Sequence, residues 1–329
     1  MSQNIEKIAV LTSGGDAPGM NAAIRAVVRA CSYHNITCIG VYKGYEGLIH
    51  NNLEELNARS VRNVINKGGT FLKSARSKDF RTEEGRKKAY DNLIANSIDA
   101  LIVIGGDGSF TGALKLSQEF NFPVIGIPGT IDNDINGTDF TIGYDTALNT
   151  VVEAIDKIRD TASSHNRLFL IEVMGRDAGD IALNAGIGAG AEEILIPEEN
   201  LGVDRLIESL RKSKESGKTS SIIVVAEGDT SGKNIFELGE YVEEKLEDDY
   251  EVRVSVLGHI QRGGSPSCYD RVLASKLGVG AVEALLEGKR DVMIGIVHKQ
   301  VTVVALTEAL QKRVHKHDQL IKVADITSV

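Results

Sequence analysis

Cysteine is scarce in this 329-residue chain, which has three, Cys31, Cys38 and Cys268. Three thiols cannot staple a chain of this length, so a disulfide scaffold is excluded. None stands in a C-x-x-C pair, so zinc and thiol-redox readings have no support. No apolar run reaches the ~18 residues of a membrane span, so no membrane partner is expected. The opening MSQNIEKIAVLTSGG lacks the long apolar stretch of a secretory signal, and the expected compartment is the cytosol. Without such a signal, the glycosylation-like Asn35-Ile36-Thr37 and Asn136-Gly137-Thr138 are chance matches. Positive charge is in deficit, with 37 Lys+Arg against 46 Asp+Glu, a net −9. That balance argues against nucleic acid or a membrane surface as partner. An anionic substrate must then be bound by local arginine clusters, against the field of the whole molecule. Pro- or Ser-rich linkers, low-complexity tracts and fixed-period repeats are also missing.

What is present is a globular composition, 42% hydrophobic and 25% charged, in a chain long enough for two domains. Short β-branched runs alternate with longer helical stretches. Strands are expected at Ile5–Thr12, Ile36–Tyr42, Leu101–Ile104, Pro123–Ile127, Arg167–Val173, Ser221–Ala226 and Arg253–Val256, with a helix over Gly19–Ser32. Continuous apolar runs between helices mark strands covered on both faces of a mostly parallel sheet. The fold class is therefore α/β and doubly wound, with ligands expected outside the carboxyl ends of the strands. The acidic run Tyr241–Glu251 reads as the solvated face and end of a helix.

Glycines and carboxylates gather at those strand ends. Thr12-Ser13-Gly14-Gly15-Asp16 joins the first strand to the first helix. Small residues let backbone approach a ligand, and the helix start offers N–H groups to an anion. No Gly-Lys-Ser/Thr follows, so this is not a Walker loop. Gly105-Gly106-Asp107-Gly108-Ser109 follows LIVI; its glycines clear room for a polyphosphate, and Asp107 can hold Mg²⁺ directly or through water. Either loop alone is also an ordinary strand-to-helix turn. Gly129-Thr130-Ile131-Asp132-Asn133-Asp134 is more specific. Two carboxylates two residues apart at a strand end are rarely needed for folding. One can accept a proton from a substrate hydroxyl while the other orients metal or neighbours. Arg76, Arg176, Arg253 and Arg262 sit among glycines near strand ends, and guanidinium groups fit phosphate oxygens in bidentate fashion. Gly186-Ile187-Gly188-Ala189-Gly190-Ala191 matches a dinucleotide fingerprint but follows a helical pattern instead of a strand, which removes its context.

With TSGGDAPGMNAAIR, GGDGS, PGTIDND, IRDTASSH, EVMGR and VLGHIQRGGSP in this order, the chain closely resembles the bacterial ATP-dependent 6-phosphofructokinases from about Ile8 to Ile296. The tail after Val297 carries no motif. The resemblance implies two similar doubly wound, Rossmann-like sheets flanked by helices. It implies an ATP-binding domain at 1–143 plus 259–306, a fructose 6-phosphate domain at 144–258 plus 307–329, and a homotetramer. It implies that Gly15, Arg76, Ser77, Gly106, Asp107, Gly108 and Ser109 line the ATP site, with Asp107 on Mg²⁺. Asp132 would be the general base, with Thr130, Ile131 and Asp134 beside it. Met174, Gly175, Arg176 and Glu227 would hold the sugar, with Arg176 also stabilising the transferring phosphoryl group. His259 and Arg262 would grip the 6-phosphate, joined by Arg167 and Arg253 from a neighbouring subunit. A regulatory site for ADP-like or phosphoenolpyruvate-like effectors would use Arg25, Arg29, Arg59, Arg159, Gly190, Glu192 and Lys218. This chain departs there: Lys218-Thr219-Ser220 replaces the usual basic run, and Arg62 is added near Arg59. A weakened effector response is therefore expected. The related pyrophosphate-dependent branch tends to carry Asp at the place of Gly108 and Lys at the place of Gly129. Glycine at both leaves room for a nucleotide, so ATP is the expected donor.

Overall fold

The computed structural model describes residues 5–162, 167–199, 202–217, 221–229, 232–246, 250–313 and 317–328. Among these it has eleven strands. They are β1 (Lys7–Thr12), β2 (Thr37–Val41), β3 (Leu53–Leu56), β4 (Ala100–Gly105), β5 (Val124–Pro128), β6 (Arg167–Val173), β7 (Glu193–Leu195), β8 (Ser221–Ala226), β9 (Glu251–Val256), β10 (Val292–Val297) and β11 (Gln300–Ala305). They form a seven-stranded sheet, β11-β10-β5-β4-β1-β2-β3, and a four-stranded sheet, β7-β8-β6-β9. The chain divides accordingly into unit 1, Met1–Thr146 with Arg262–Arg313, and unit 2, Ala147–Gln261 with Val314–Val329.

In unit 1 the interior of the sheet is parallel, and only the edge pairs β2–β3 and β10–β11 are antiparallel. β4 and β5 are buried at every residue, which is why their sequences read as unbroken apolar runs. Leu11, Val41, Leu101, Val103, Phe110 and Leu116 share one core. Each such side chain contributes about 1.5–3 kcal/mol relative to exposure. In unit 2 all pairs are parallel, and Leu168, Leu170, Leu210, Ile223, Leu238 and Val242 form the core. The helix Ile235–Leu246 ends within the acidic run, and the helix Asp180–Gly188 ends three residues into the false dinucleotide motif. Among the described residues no helix is long and apolar enough to cross a membrane.

The joints between the units differ from those expected: residue 146 instead of 143, 261 instead of 258, and 313 instead of 306. Thr146 stays with unit 1 because its N–H and Oγ1 donate to Asp270 at 2.8 and 2.5 Å. Leu306 and Ala309 are buried in the unit 1 core, and Arg313 Nη1 donates to the Asn133 carbonyl at 2.6 Å.

Candidate active site

β1 has β2 on one side and β4 on the other, so the chain turns in opposite senses from these neighbours. Such a switch point opens a crevice at the carboxyl ends of the strands. The three motif loops follow β1, β4 and β5, which are adjacent in the sheet, and they are bonded to one another. Ser13 N donates to Ile104 O at 3.0 Å, and Gly129 N to Gly105 O at 2.9 Å. Gly105 has no room for a side chain, since a Cβ would lie 2.5 Å from both Ser13 O and Ser109 Oγ. Asp107 and Gly108 open the helix Asp107–Phe120 and are exposed. A Cβ at Gly108 would meet nothing within 4 Å, whereas one at Gly129 would stand 3.0 Å from Ile104 Cγ2 and 3.3 Å from Met20 Cε. The expected openness therefore holds at Gly108, while at Gly129 the glycine answers to core packing. Ser109 is buried, and its carbonyl accepts from Tyr45 OH.

The segment bearing Arg76 and Ser77 is tied to the β1 loop. Ser74 Oγ donates to Gly14 O at 2.8 Å, Thr12 Oγ1 to Lys73 O at 3.1 Å, and Asn21 Nδ2 to the carbonyls of Lys67 and Gly68. Arg76 is exposed; Ser77 Oγ accepts from Phe80 N.

Asp132 follows β5 and is 3% exposed. Its Oδ2 accepts from Thr130 Oγ1 at 3.2 Å, and Arg262 Nη2 stands 3.7 Å from its Oδ1. Ile131 is fully buried and anchors the loop between them. Asn133 has a left-handed backbone, φ 52°, held by its side chain: Oδ1 accepts from Thr141 N, and Nδ2 donates to Asp139 O. Thr141 Oγ1 donates to Thr130 O at 2.6 Å. Arg262 also lies over the β1 loop, where a Cβ on Gly15 would be 2.6 Å from its Nη1. The guanidinium expected on the sugar phosphate thus stands beside the expected base.

In unit 2 the carboxyl ends of β6, β8 and β9 carry Met174-Gly175-Arg176, Glu227 and His259. Gly175 has φ 141° and Arg176 φ 54°, the latter a conformation that side-chain-bearing residues rarely adopt. Both N–H groups donate to Glu227 Oε1, at 3.2 and 2.8 Å. Met174 N donates to Oε1 of the buried Gln261 at 3.1 Å. A Cβ on Gly228 would overlap the Arg176 carbonyl. Burial, and then the Glu227 charge, push the Glu172 carboxyl above its usual value. His259 is exposed on the turn Gly258–Arg262. Arg167 and Arg253 lie along β6 and β9, both paired with Glu251. Arg167 is seven residues from Met174, about 23 Å at ~3.3 Å per residue. These two arginines do not converge on the Met174–Arg176 loop of their own unit.

Of the expected regulatory residues, Arg159, Gly190 and Glu192 come together in unit 2. Arg159 Nη2 donates to Gly190 O at 2.6 Å, and its Nη1 is 3.5 Å from Glu192 Oε1. Arg25, Arg29 and Arg59 belong to unit 1. Burial, then the Arg29 charge, lower the Arg25 pKa. Lys218, like Ser163, Ser164, Thr219 and Ser220, lies outside the described residues.

Sequence reasoning missed four positioning residues: Thr141, Gln261, Asp270 and Arg313. Asp270 is fully buried and accepts from Gly143 N and from Thr146 N and Oγ1, fixing the segment behind Thr141. The Ser267-x-x-Asp270 pattern signals a helix start and nothing more. Arg313 has no signal at all, because its partner is 180 residues away.

A model of the phosphofructokinase family matches residues 7–285. The ATP-dependent 6-phosphofructokinase of Brevibacillus brevis is 57% identical over 309 residues, covering 94% of this chain and 95% of its own length. That of Bacillus pumilus is 57% identical over 315 residues, covering 96% and 97%. Among solved structures, the phosphofructokinase of Pichia pastoris in the T-state is similar with a TM-score of 0.88 and 37% identity. That alignment covers 99% of this chain and 37% of the yeast chain.

Proposed function

The chain belongs to the phosphofructokinase family, and from that premise we propose how its residues carry the reaction. The reaction is transfer of the terminal phosphoryl group of ATP to fructose 6-phosphate, giving fructose 1,6-bisphosphate in glycolysis. One observation carries the assignment of parts: three loops at adjacent strand ends, bonded to one another, with a buried carboxylate on the third. Asp132 takes the proton of the sugar 1-hydroxyl. Thr130 orients the carboxylate through Oδ2, which leaves Oδ1 toward the side where Arg262 stands. Gly15 and Gly106 to Ser109, with Arg76 and Ser77, bind the nucleotide, and the open space at Gly108 admits it. Asp107 offers an exposed carboxylate beside that space, a hard oxygen ligand that suits a hydrated Mg²⁺. When bound, that ion neutralises charge on the triphosphate. Met174, Gly175, Glu227, His259 and Arg262 hold the sugar phosphate, and Arg176 offsets charge on the transferring group. Positioning and charge neutralisation supply most of the acceleration in such transfers.

Arg167 and Arg253 serve a neighbouring subunit of a homotetramer. ADP-like or phosphoenolpyruvate-like effectors bind at Arg159, Gly190 and Glu192 with Arg25, Arg29, Arg59 and Lys218. The enzyme works in the cytoplasm. The test is a coupled assay with fructose 6-phosphate and either ATP or pyrophosphate, on the wild type and on Asp132→Ala. ATP is expected to support turnover and pyrophosphate not. The variant should fold, bind the sugar phosphate and lose a factor of about 10²–10⁴ in kcat. A folded variant that keeps more than a tenth of the wild-type kcat removes Asp132 from the role of base.

A further inference from the structure

One group of metal-ligating side chains in unit 2 takes no part in the reaction described above. Asp180 opens the helix Asp180–Gly188, Glu198 follows β7, and His317 comes from the tail, just before the helix Asp318–Thr327. His317 Nε2 stands 3.4 Å from Glu198 Oε1 and 3.6 Å from Asp180 Oδ2. One ligand atom from each residue lies within 4.8 Å of the other two. Asp180 and His317 are each 7% exposed.

These spacings are longer than a well-formed N–H···O bond, which is about 2.7–3.2 Å. The first has the length of the edge of a coordination tetrahedron, and the second is about 0.2 Å longer. With bonds of about 2.0–2.1 Å to a cation, neighbouring ligand atoms stand roughly 3.3–3.4 Å apart. The Glu198 carboxylate is also aimed from behind, since Gly179 N donates to its Oε1 at 2.9 Å and Oε2 at 3.1 Å. Such outer hydrogen bonds orient carboxylate ligands in metal sites. Gly179 is required for this approach: a Cβ there would be 2.6 Å from Glu198 Oε2 and 2.5 Å from Ile196 Cβ.

We propose that Asp180, Glu198 and His317 bind one divalent transition-metal ion, zinc in preference to magnesium, with water completing the tetrahedron. An imidazole between two carboxylates suits zinc, whereas magnesium favours all-oxygen surroundings. The ion fastens the tail helix Asp318–Thr327 against the helix Asp180–Gly188. That second helix leads directly into Gly190 and Glu192, so the ion braces the segment that Arg159 grips. The site is separate from the one assigned to Mg²⁺ at Asp107, which belongs to unit 1.

The experiment uses the full-length chain, stripped with a chelator and titrated calorimetrically with zinc chloride while magnesium is kept in excess. One zinc per chain is expected, with a micromolar or tighter Kd. His317→Ala should bind at least about tenfold more weakly, because it loses a ligand outright. Basal phosphoryl transfer by the stripped variant should equal that of the stripped wild type, since His317 is not among the residues assigned to either substrate. Anomalous diffraction from wild-type crystals grown with one equivalent of zinc reads the site without relying on any variant. A peak bonded to His317 Nε2, Asp180 Oδ2 and Glu198 Oε1 supports the proposal. Overturning results are no saturable zinc binding up to about 100 micromolar, equal affinity in His317→Ala, or zinc located elsewhere. Any of these would leave the three side chains as an ion pair only.

Discussion

Two buried or strained residues show how single side chains are set for the task. Asp270 has no exposure, and burial raises its pKa to about 6 from an ordinary 3.8, against three hydrogen bonds that lower it. The folded state therefore binds a proton that the unfolded chain has already released between about pH 4 and pH 6. Stability from this group is fullest below that window and is lost as pH rises through 6. Asp270→Asn cannot titrate, so the wild type should gain on the variant by about 1 kcal/mol between pH 7 and pH 5. Urea unfolding of both proteins at the two pH values checks it, and a constant gap would place the carboxyl at its ordinary pKa. Arg176 shows the other device. Its left-handed backbone costs on the order of 1–2 kcal/mol for a side-chain-bearing residue. The Glu227 carboxylate holds it there by accepting both the Gly175 and the Arg176 N–H.

At the scale of elements, the loops at strand ends are set by where a side chain can and cannot go. Gly228 faces the Arg176 carbonyl and Gly108 faces nothing. Gly228→Ala should push the Met174–Arg176 loop out of place, lowering kcat and the melting temperature together. Gly108→Asp should leave the melting temperature unchanged while raising KM for ATP, because a carboxylate fills the open space and repels phosphate. Equal melting temperatures for the two variants would contradict this contrast. Strands covered on both faces were legible from sequence, and β6 and β8 match their apolar runs residue for residue. β3 was not legible, because LEEL on an exposed edge shows neither continuity nor alternation of apolar residues. The β10–β11 hairpin hides for another reason. Its two-residue turn, His298-Lys299, takes φ 49° and 66°, a conformation usually announced by Asn-Gly. Lys299→Gly should therefore stabilise unit 1 by about 1 kcal/mol, read as a shift in the urea midpoint. The candidate site stood out in the sequence because two carboxylates two residues apart at a strand end have little structural use, whereas glycines such as Gly105 and Gly129 also answer to packing. Of its supports, Gln261 and Arg313 were not legible, since nothing local marks a residue whose partner is distant in the chain, and Thr141 was not, since a lone threonine in a loop carries no pattern.

At the scale of the whole molecule, Arg167 and Arg253 matter most. Both sit with Glu251, well away from the Met174–Arg176 loop of their own chain. On the reading that they act in a neighbour, inactive Arg253→Ala chains mixed with inactive Asp132→Ala chains should regain activity. Some sites would then pair an intact Asp132 with an intact Arg253 from the other chain. No regain after verified subunit exchange would confine each site to one chain. The discontinuous sheet of unit 1 bears on how the molecule is made. β5 pairs with β4 on one side, but its other partner, β10, begins at Val292, 292 − 128 = 164 residues after β5 ends. At about 5–20 residues per second of synthesis, β5 waits roughly 8–33 seconds on the ribosome as an open edge. During that wait it can pair with another nascent chain, the hazard of any uncovered strand. The loop after β5 waits longer still, until Arg313 arrives to hold the Asn133 carbonyl. Asp132, the residue proposed as proton acceptor, stands one residue before Asn133 and is thus among the last parts of the newborn chain to be locked.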